Sequence, residues 1–553
     1  MIHSRTDLRL VISGKVQKYR AGIFTGSVNK GEKEMGERSR VNKMVFIPPA
    51  MLCLLIIAVG AVFPDKLAKF VDKGQAWVTY NFSWFYALGA TSLVLFCLFV
   101  CFSKFGKIRI GGKNAKPEMN FWKWFCIVLT SGMGAGICYW CVAEPISFFQ
   151  NMPIFSGYES GSAGALENAL KYVFMHWSLH PYGAYTAAGV CVAFMYWNCK
   201  KPFSLSSALI PLIGDKKADK IRYPLDAVCV FCLVAGLGTT LGQSIDQMSG
   251  GIKYVTGISV DINVLALAVC LGCALIGIAA ACTGLHKGIA YVSSANMYIF
   301  IAMLIFAFCF GGTHFILGNT VSSIGKFFGF IIPQSLYTEP GYESGWVNSW
   351  TMFYWGWWIA FAPLIGLFQI KLSKGRTLRE YILVNMLVPC LFMVAWMGVF
   401  GSSAMHMEFT GNHVISEAMA QFGTSVALLA YLKNLPLTPV LCVLAFAAML
   451  FSCITMTEAE ILTVADMCVS NKGEEAKSDN RAPSQIKIFW GLIMSLMGFI
   501  LLYSGGLHAV QTISIILGFP ILILQVIMCI SALKSFRNYK KYDQTLKEGE
   551  DYD

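Results

Sequence analysis

The chain has 553 residues, of which 56% are apolar and only 13% charged, and it carries a formal net charge of +12. A soluble globular chain carries about 25% charged residues, so this composition excludes an ordinary soluble enzyme and points to a lipid bilayer. The basic excess does not point to nucleic acid, because it is dispersed among connections between apolar runs.

Residues 1–43 are polar and basic. They read as a cytoplasmic tail without the apolar core of a cleavable leader. Twelve apolar segments follow over 44–533, centred near residues 54, 92, 132, 190, 235, 272, 303, 360, 391, 450, 495 and 520. Each approaches the ~20 residues that span a hydrocarbon core. They are continuously apolar rather than alternating, which argues against barrel strands. The predicted fold is an all-α polytopic membrane protein of twelve transmembrane helices.

The third segment, 121–149, contains Gly132, Gly134 and Gly136 at its middle. Such a run predicts an unwound helix lining a cavity, or else close packing through small residues. It ends on Glu144-Pro145, expected near a helix end and so within reach of solvent. The fourth segment places Trp177 and Tyr185 eight apart, on one helix face, with His176 and Tyr182 beside them. The eighth reads Trp-Thr-Met-Phe-Tyr-Trp-Gly-Trp-Trp-Ile-Ala-Phe from Trp350 to Phe361, and seven of these twelve residues are aromatic. Trp350, Tyr354, Trp357, Trp358 and Phe361 share one stripe of a helix. Aromatic faces select a quaternary ammonium, which has no hydrogen to donate, at ~0.5–2 kcal/mol per ring. The alternatives are a packed aromatic core or an interfacial belt. Trp350 fits a belt, whereas Trp357 and Trp358 lie deeper.

Charged residues inside spans mark function or a wet vestibule; here they include Glu144, Asp246, Glu458, Glu460 and Asp466, of which Glu458 and Glu460 are candidates for cation or proton coupling. Ser323 to Ile332 reads as a short interfacial piece closed by Pro333. Ile415 to Leu435 reads as an amphipathic stretch on the outer face, and the tail 534–553 as unstructured. The three CxxC pairs (138/141, 229/232, 270/273) lie inside spans and read as buried thiols. No metal cluster, nucleophile–base pair or phosphate loop is present, so neither a metal, a cofactor nor an enzymatic activity is expected.

The connections 103–124 and 199–223 carry six Lys/Arg each, while 146–171, 312–347 and 402–437 carry one each. This asymmetry predicts both termini in the cytoplasm, with the chain in the plasma (inner) membrane. Segments 3–7 and 8–12 make two blocks of five, approximately 120–317 and 348–533. An odd count inverts the second block relative to the first. The glycine-rich and aromatic segments then occupy matching positions, the arrangement that marks a midplane site in secondary transporters.

Together these residues resemble the betaine/carnitine/choline transporter (BCCT) family over roughly 44–535. The resemblance is carried by Gly132-Met133-Gly134-Ala135-Gly136 through Ala143-Glu144-Pro145, by His176-Trp177, and by Phe353-Tyr354-Trp355-Gly356-Trp357-Trp358 followed by Lys374-Gly375-Arg376-Thr377-Leu378-Arg379-Glu380. Gly284 to Gly288 and Gly505 to Thr512 fit too. It implies a LeuT-like five-plus-five inverted repeat after two extra N-terminal helices, often assembled as a homotrimer. It implies transport of zwitterionic trimethylammonium solutes such as glycine betaine, carnitine or butyrobetaine. It also admits a cation-independent exchanger of the carnitine type, or a choline- or osmolyte-sensing member. By position, Trp177, Tyr182, Tyr185, Trp357 and Trp358 match the family's aromatic box, with Phe361 at the next box position and Trp350 at a vestibule tryptophan. Gly136 stands where choline carriers tend to have Asp, which favours a substrate with its own carboxylate, and Ser147 stands where carnitine exchangers have a box tyrosine. Met133 and Thr455 match a sodium site, but Met456 replaces its serine. Ala290 stands where sodium-independent exchangers place an arginine. Glu458 is then a candidate replacement ligand or proton carrier, so that the coupling ion is Na+, H+ or none.

Overall fold

A computed structural model of the chain describes residues 40–133, 136–283, 286–342, 344–470, 482–547 and 549–552. The tail before residue 40, Gly134 and most of the charged connection 471–481 lie outside the described residues. The fold is all-α apart from a two-residue ladder in which Arg40–Val41 pairs antiparallel with Val469–Ser470.

Helix α1 (Lys43–Val62) starts at Asn42, whose side chain accepts from the Met44 amide. Helix α2 (Pro64–Phe102) starts at a proline, which needs no donor at that position. The third apolar segment is helical over both of its described parts, α3 (Phe121–Met133) and α4 (Gly136–Gln150). The fourth is two helices, α5 (Ala163–Trp177) and α6 (Leu179–Ala193), hinged at Ser178 (φ −104°, ψ −105°). Pro181 accounts for that hinge: it has no N–H to return to the Trp177 carbonyl. Then follow α7 (Asp215–Thr256), α8 (Ile262–Thr283), α9 (His286–Phe310), α10 (Thr313–Ser335), α11 (Thr351–Leu372), α12 (Leu378–Phe409), α13 (Val414–Phe422), α14 (Ala427–Lys433), α15 (Thr438–Met467) and α16 (Ser484–Arg537). Helix α16 is broken at Gly505–Gly506. Gly506 sits at φ 62°, ψ −154°, a conformation essentially restricted to glycine, and this separates the eleventh and twelfth spans. Counting α3/α4 and α5/α6 as one span each, the twelve expected spans are all present among the described residues.

Three expectations are corrected. The short piece Ser323–Ile332 is part of the 23-residue helix α10. Its polar positions hid it, and two of them meet α12: Asn319 donates to Ser402 (3.1 Å), and Thr320 lies beside Gly398 with its hydroxyl 3.3 Å from that of Ser402. Glu144 is not at a helix end but in the interior of α4, fully buried. The C-terminal tail is not unstructured. Asn198, just past α6, donates to the Asp543 carboxylate (2.9 Å) and is joined to the Tyr552 hydroxyl (2.8 Å), and its carbonyl accepts from Gln544. Asp551 is clasped by Lys540 and Tyr539, which hold its carboxyl well below the usual carboxylate range. All nineteen cysteines are free, and the six of the CxxC pairs are buried.

Helices α6 and α11 cross in close contact. A Cβ added to Gly366 would lie 2.6 Å from the Gly189 amide nitrogen, so the backbones touch, as small residues permit inside membranes. This crossing brings the two aromatic segments face to face.

Candidate functional site

Helix α11 is buried along almost its whole length, and its aromatic stripe faces α5 and α6. Trp357 and Trp358 stack on each other (ring centroids 4.2 Å, 18°). Trp177, the last residue of α5, meets this pair edge-on, 5.0 Å from Trp358 and 6.0 Å from Trp357. Tyr185 closes the next side, 6.4 Å from Trp358 and 5.5 Å from Phe361. Tyr182 touches this group only through Tyr185, at 6.1 Å. The structure therefore joins all six expected cage residues in one cluster, with the three tryptophans at its centre. The rings are in mutual contact, so a cation seated between their faces must part them.

Trp350 precedes α11 and stands apart. It is partly exposed and packs on Phe148 (4.7 Å) and Trp140 (5.7 Å).

The cage is held from behind by a residue expected to be solvated. The Glu144 carboxylate accepts from Trp177 Nε1 (2.6 Å) and from the Tyr354 hydroxyl (2.5 Å), and it pairs with His176 Nδ1 (2.7 Å). His176 Nε2 reaches Thr351 Oγ1 (3.2 Å). Trp358 Nε1 donates to the His176 carbonyl at the end of α5 (3.0 Å). Glu144, His176 and Trp358 are all essentially buried. A carboxylate in so dry a place is tolerated when several donors converge on it. Its negative charge then stands directly behind a cage suited to a cation.

Helix α7 supplies a polar strip that sequence reasoning missed. Trp357 Nε1 donates to Thr240 Oγ1 (2.8 Å), and Trp140 Nε1 donates to Gln243 Oε1 (3.1 Å). Gln247 lies one turn on, and Asp246 accepts from the Tyr139 hydroxyl (2.7 Å), which also contacts Thr424 (2.9 Å). The Gln243 side-chain nitrogen and both polar atoms of the Gln247 side chain are buried without a hydrogen-bond partner among the described residues. The available signal was the i, i+3, i+7 spacing of Thr240, Gln243 and Gln247, which puts them on one helix face, in a span where polar residues are expensive.

Of the glycines, Gly136 opens α4 directly against the cage. A Cβ there would lie 2.7 Å from Trp357 Cη2 and 3.2 Å from Trp177 Cη2. Both rings are tethered through their Nε1 atoms and cannot yield without losing a bond. Gly136→Ala is expected to weaken solute binding by about tenfold or more, since one lost bond and misplaced rings amount to ~1.5 kcal/mol or more. Titration of intrinsic tryptophan fluorescence would measure this. Gly132 and Met133 end α3, but their side chains, like all of Gly134, lie outside the described residues.

The expected coupling residues do not converge in the same way. Thr455 turns its hydroxyl back on its own helix, donating to the Phe451 carbonyl (2.9 Å). Glu458 is nearly buried and lies within electrostatic reach of Lys487 on α16. Among the described residues no group of three His, Cys, Asp or Glu suited to a metal ion occurs.

A family model described as "BCCT, betaine/carnitine/choline family transporter" matches residues 44–541. A "Probable glycine betaine transporter" of Desulfitobacterium hafniense (strain Y51) is 32% identical over 91% of this chain and 99% of its own length. The "Glycine betaine transporter OpuD" of Bacillus subtilis (strain 168) is 34% identical over 87% of this chain and 92% of its own. An "Ectoine/hydroxyectoine transporter" of Virgibacillus pantothenticus is 32% identical over 92% of this chain and 100% of its own.

Proposed function

The chain belongs to the betaine/carnitine/choline transporter family, and from that premise we propose that it is a secondary transporter of a zwitterionic trimethylammonium solute, with glycine betaine as the leading candidate. As a member it is a multi-pass membrane transporter and not an enzyme. The observation that carries the substrate reading is the Trp177/Trp357/Trp358 cluster with the Glu144 carboxylate behind it.

The trimethylammonium group sits against the tryptophan faces, where its charge meets their π-clouds and the field of Glu144 in a medium of low dielectric. The carboxylate end faces α7, where the amide nitrogens of Gln243 and Gln247 are unused donors. Neutral donors suit a zwitterion, because they recognise its anionic end without adding net charge. Alternating access follows from rocking α5 at its break beside Ser178, which parts Trp177 from the α11 pair.

The excess of Lys and Arg on alternate connections supports cytoplasmic termini in a plasma-membrane protein, and the family habit favours a homotrimer. Transport by exchange, as in the carnitine branch, remains a second mode at the same cage.

The carboxylate assignment has a direct check. The double variant Gln243→Leu/Gln247→Leu is expected to bind glycine betaine about tenfold or more weaker, because a hydrogen bond to a charged group contributes ~1.5–3 kcal/mol. Its affinity for choline, which lacks the carboxylate, is expected to change far less. Equal losses for both ligands would remove the amides from that role.

A further inference from the structure

Helix α15 carries three carboxyls in its last ten residues: Glu458, Glu460 and Asp466. Asp466 is paired with Lys371 of α11 (2.5 Å), and Glu458 lies within reach of Lys487 of α16. Glu460 is different. It is 0% exposed, and neither of its carboxyl oxygens has a hydrogen-bond partner. The neighbouring Ala459 packs on Ile127 of α3 and Phe368 of α11. This turn therefore lies against both α3 and the aromatic helix α11, on the side of the cage that leads to the chain ends.

The titratable groups around Glu460 are few. Tyr185 of α6, a wall of the cage, is within its electrostatic reach, and its hydroxyl is also unpartnered. Cys453 lies two turns back on α15, with Cys273 of α8 as its thiol neighbour. The cations of the adjoining helices are engaged elsewhere: Lys371 on Asp466, and Lys487 on the Ala281 carbonyl (3.1 Å) and beside Glu458. Helices α3, α7 and α9 present no hydrogen-bonding or ion-pairing group to Glu460 among the described residues.

A metal cation needs several oxygens arranged around it, and among the described residues no polar group hydrogen-bonds to either carboxyl oxygen of Glu460. A proton needs one oxygen. An ionised carboxylate with no donor and no counter-ion is among the most expensive groups to enclose, whereas the neutral acid is tolerable.

We propose that Glu460 is a proton-binding site that couples solute movement to H+. It carries the proton in the closed conformation and gives it up on the side of the chain ends when that side opens to water. This rests on the transport reading of the cage and names its coupling ion. The coupling works because the solute-filled cage closes dry over Glu460 and so closes only with the proton in place, whereas the empty cage admits water that solvates the ionised carboxylate while the carrier returns without the proton.

The test is uptake of radiolabelled glycine betaine into proteoliposomes of the full-length protein, without sodium and with the membrane potential clamped at zero. The wild type is expected to accumulate the solute at least fivefold faster under an inside-alkaline gradient than without one, and a trapped pH dye should report acidification of the lumen. Glu460→Gln, which is permanently neutral, is expected to keep betaine-for-betaine counterflow while losing the response to the gradient and the dye signal. Glu460→Ser serves as a second variant should the first not fold, with the same expectation. A full gradient response in either folded variant overturns the proposal. So does a wild type driven by sodium and indifferent to pH. If the wild type shows no betaine binding or counterflow at all, the transport reading beneath the proposal fails instead.

Discussion

Trp177→Leu is expected to weaken binding of glycine betaine by about 100-fold or more while leaving the protein folded. The substitution removes the ring that meets Trp357 and Trp358 edge-on, a loss of up to ~2 kcal/mol of cation–π attraction. It also removes one of the donors on Glu144, worth roughly 1.5 kcal/mol or more because the acceptor is charged. Together these exceed the ~2.7 kcal/mol that corresponds to 100-fold. Leucine fills much of the apolar volume at the end of α5, so the hinge at Ser178 is retained. Calorimetric titration of the purified protein gives the affinity, and a melting curve separates lost binding from lost structure. A variant that binds within a few-fold of the wild type would take Trp177 out of the cage.

Glu144→Gln should be comparably severe, although it adds or removes no heavy atom. Glu144 receives Trp177, Tyr354 and His176 at 2.5–2.7 Å. A glutamine oxygen in the place of Oε2 keeps Trp177 and Tyr354, and its amide then faces His176 Nδ1, which must become the acceptor. What is lost is the charge behind the cage and the charge assistance of these bonds, which contribute ~1.5–3 kcal/mol when the acceptor is charged. The expected result is a loss of betaine affinity of about 100-fold, accompanied by a shift in the tryptophan emission of the unliganded protein as the bond to Trp177 weakens. An unchanged emission spectrum with unchanged affinity would show that Glu144 is only structural.

The sequence made the spans and the cage residues legible for a physical reason. Long apolar runs and an aromatic stripe repeat at helical spacing, so Trp357, Trp358 and Phe361 could be assigned to one face from their numbers alone. Trp177 was legible as an aromatic residue beside the α11 stripe, and Trp350 as one that lies too near a helix start to be deep. What could not be read was which distant groups complete the hydrogen bonds of these rings. Glu144 was placed near solvent because Glu-Pro commonly closes a helix. It is instead the acceptor for donors arriving from α5 and α11, a convergence visible only once the segments cross. The strip Thr240–Gln243–Gln247 was overlooked because each polar side chain, taken alone, is unremarkable in a long span. Helix α10 was shortened for the converse reason: its asparagine and threonine looked like surface, but α12 satisfies them. The docked tail depends on Asn198, more than 340 residues away from its partners Asp543 and Tyr552, a contact that no local pattern encodes.

The central claim is that this cluster of rings recognises a fully methylated ammonium. The most direct measurement is a fluorescence titration of the purified protein with glycine, dimethylglycine and glycine betaine, compounds that share a carboxylate and differ in N-methylation. The expected result is affinity rising steeply along the series, with saturable quenching by glycine betaine at the lowest concentration and none by glycine over the same range. Binding of glycine or dimethylglycine as tight as that of glycine betaine would contradict the cage.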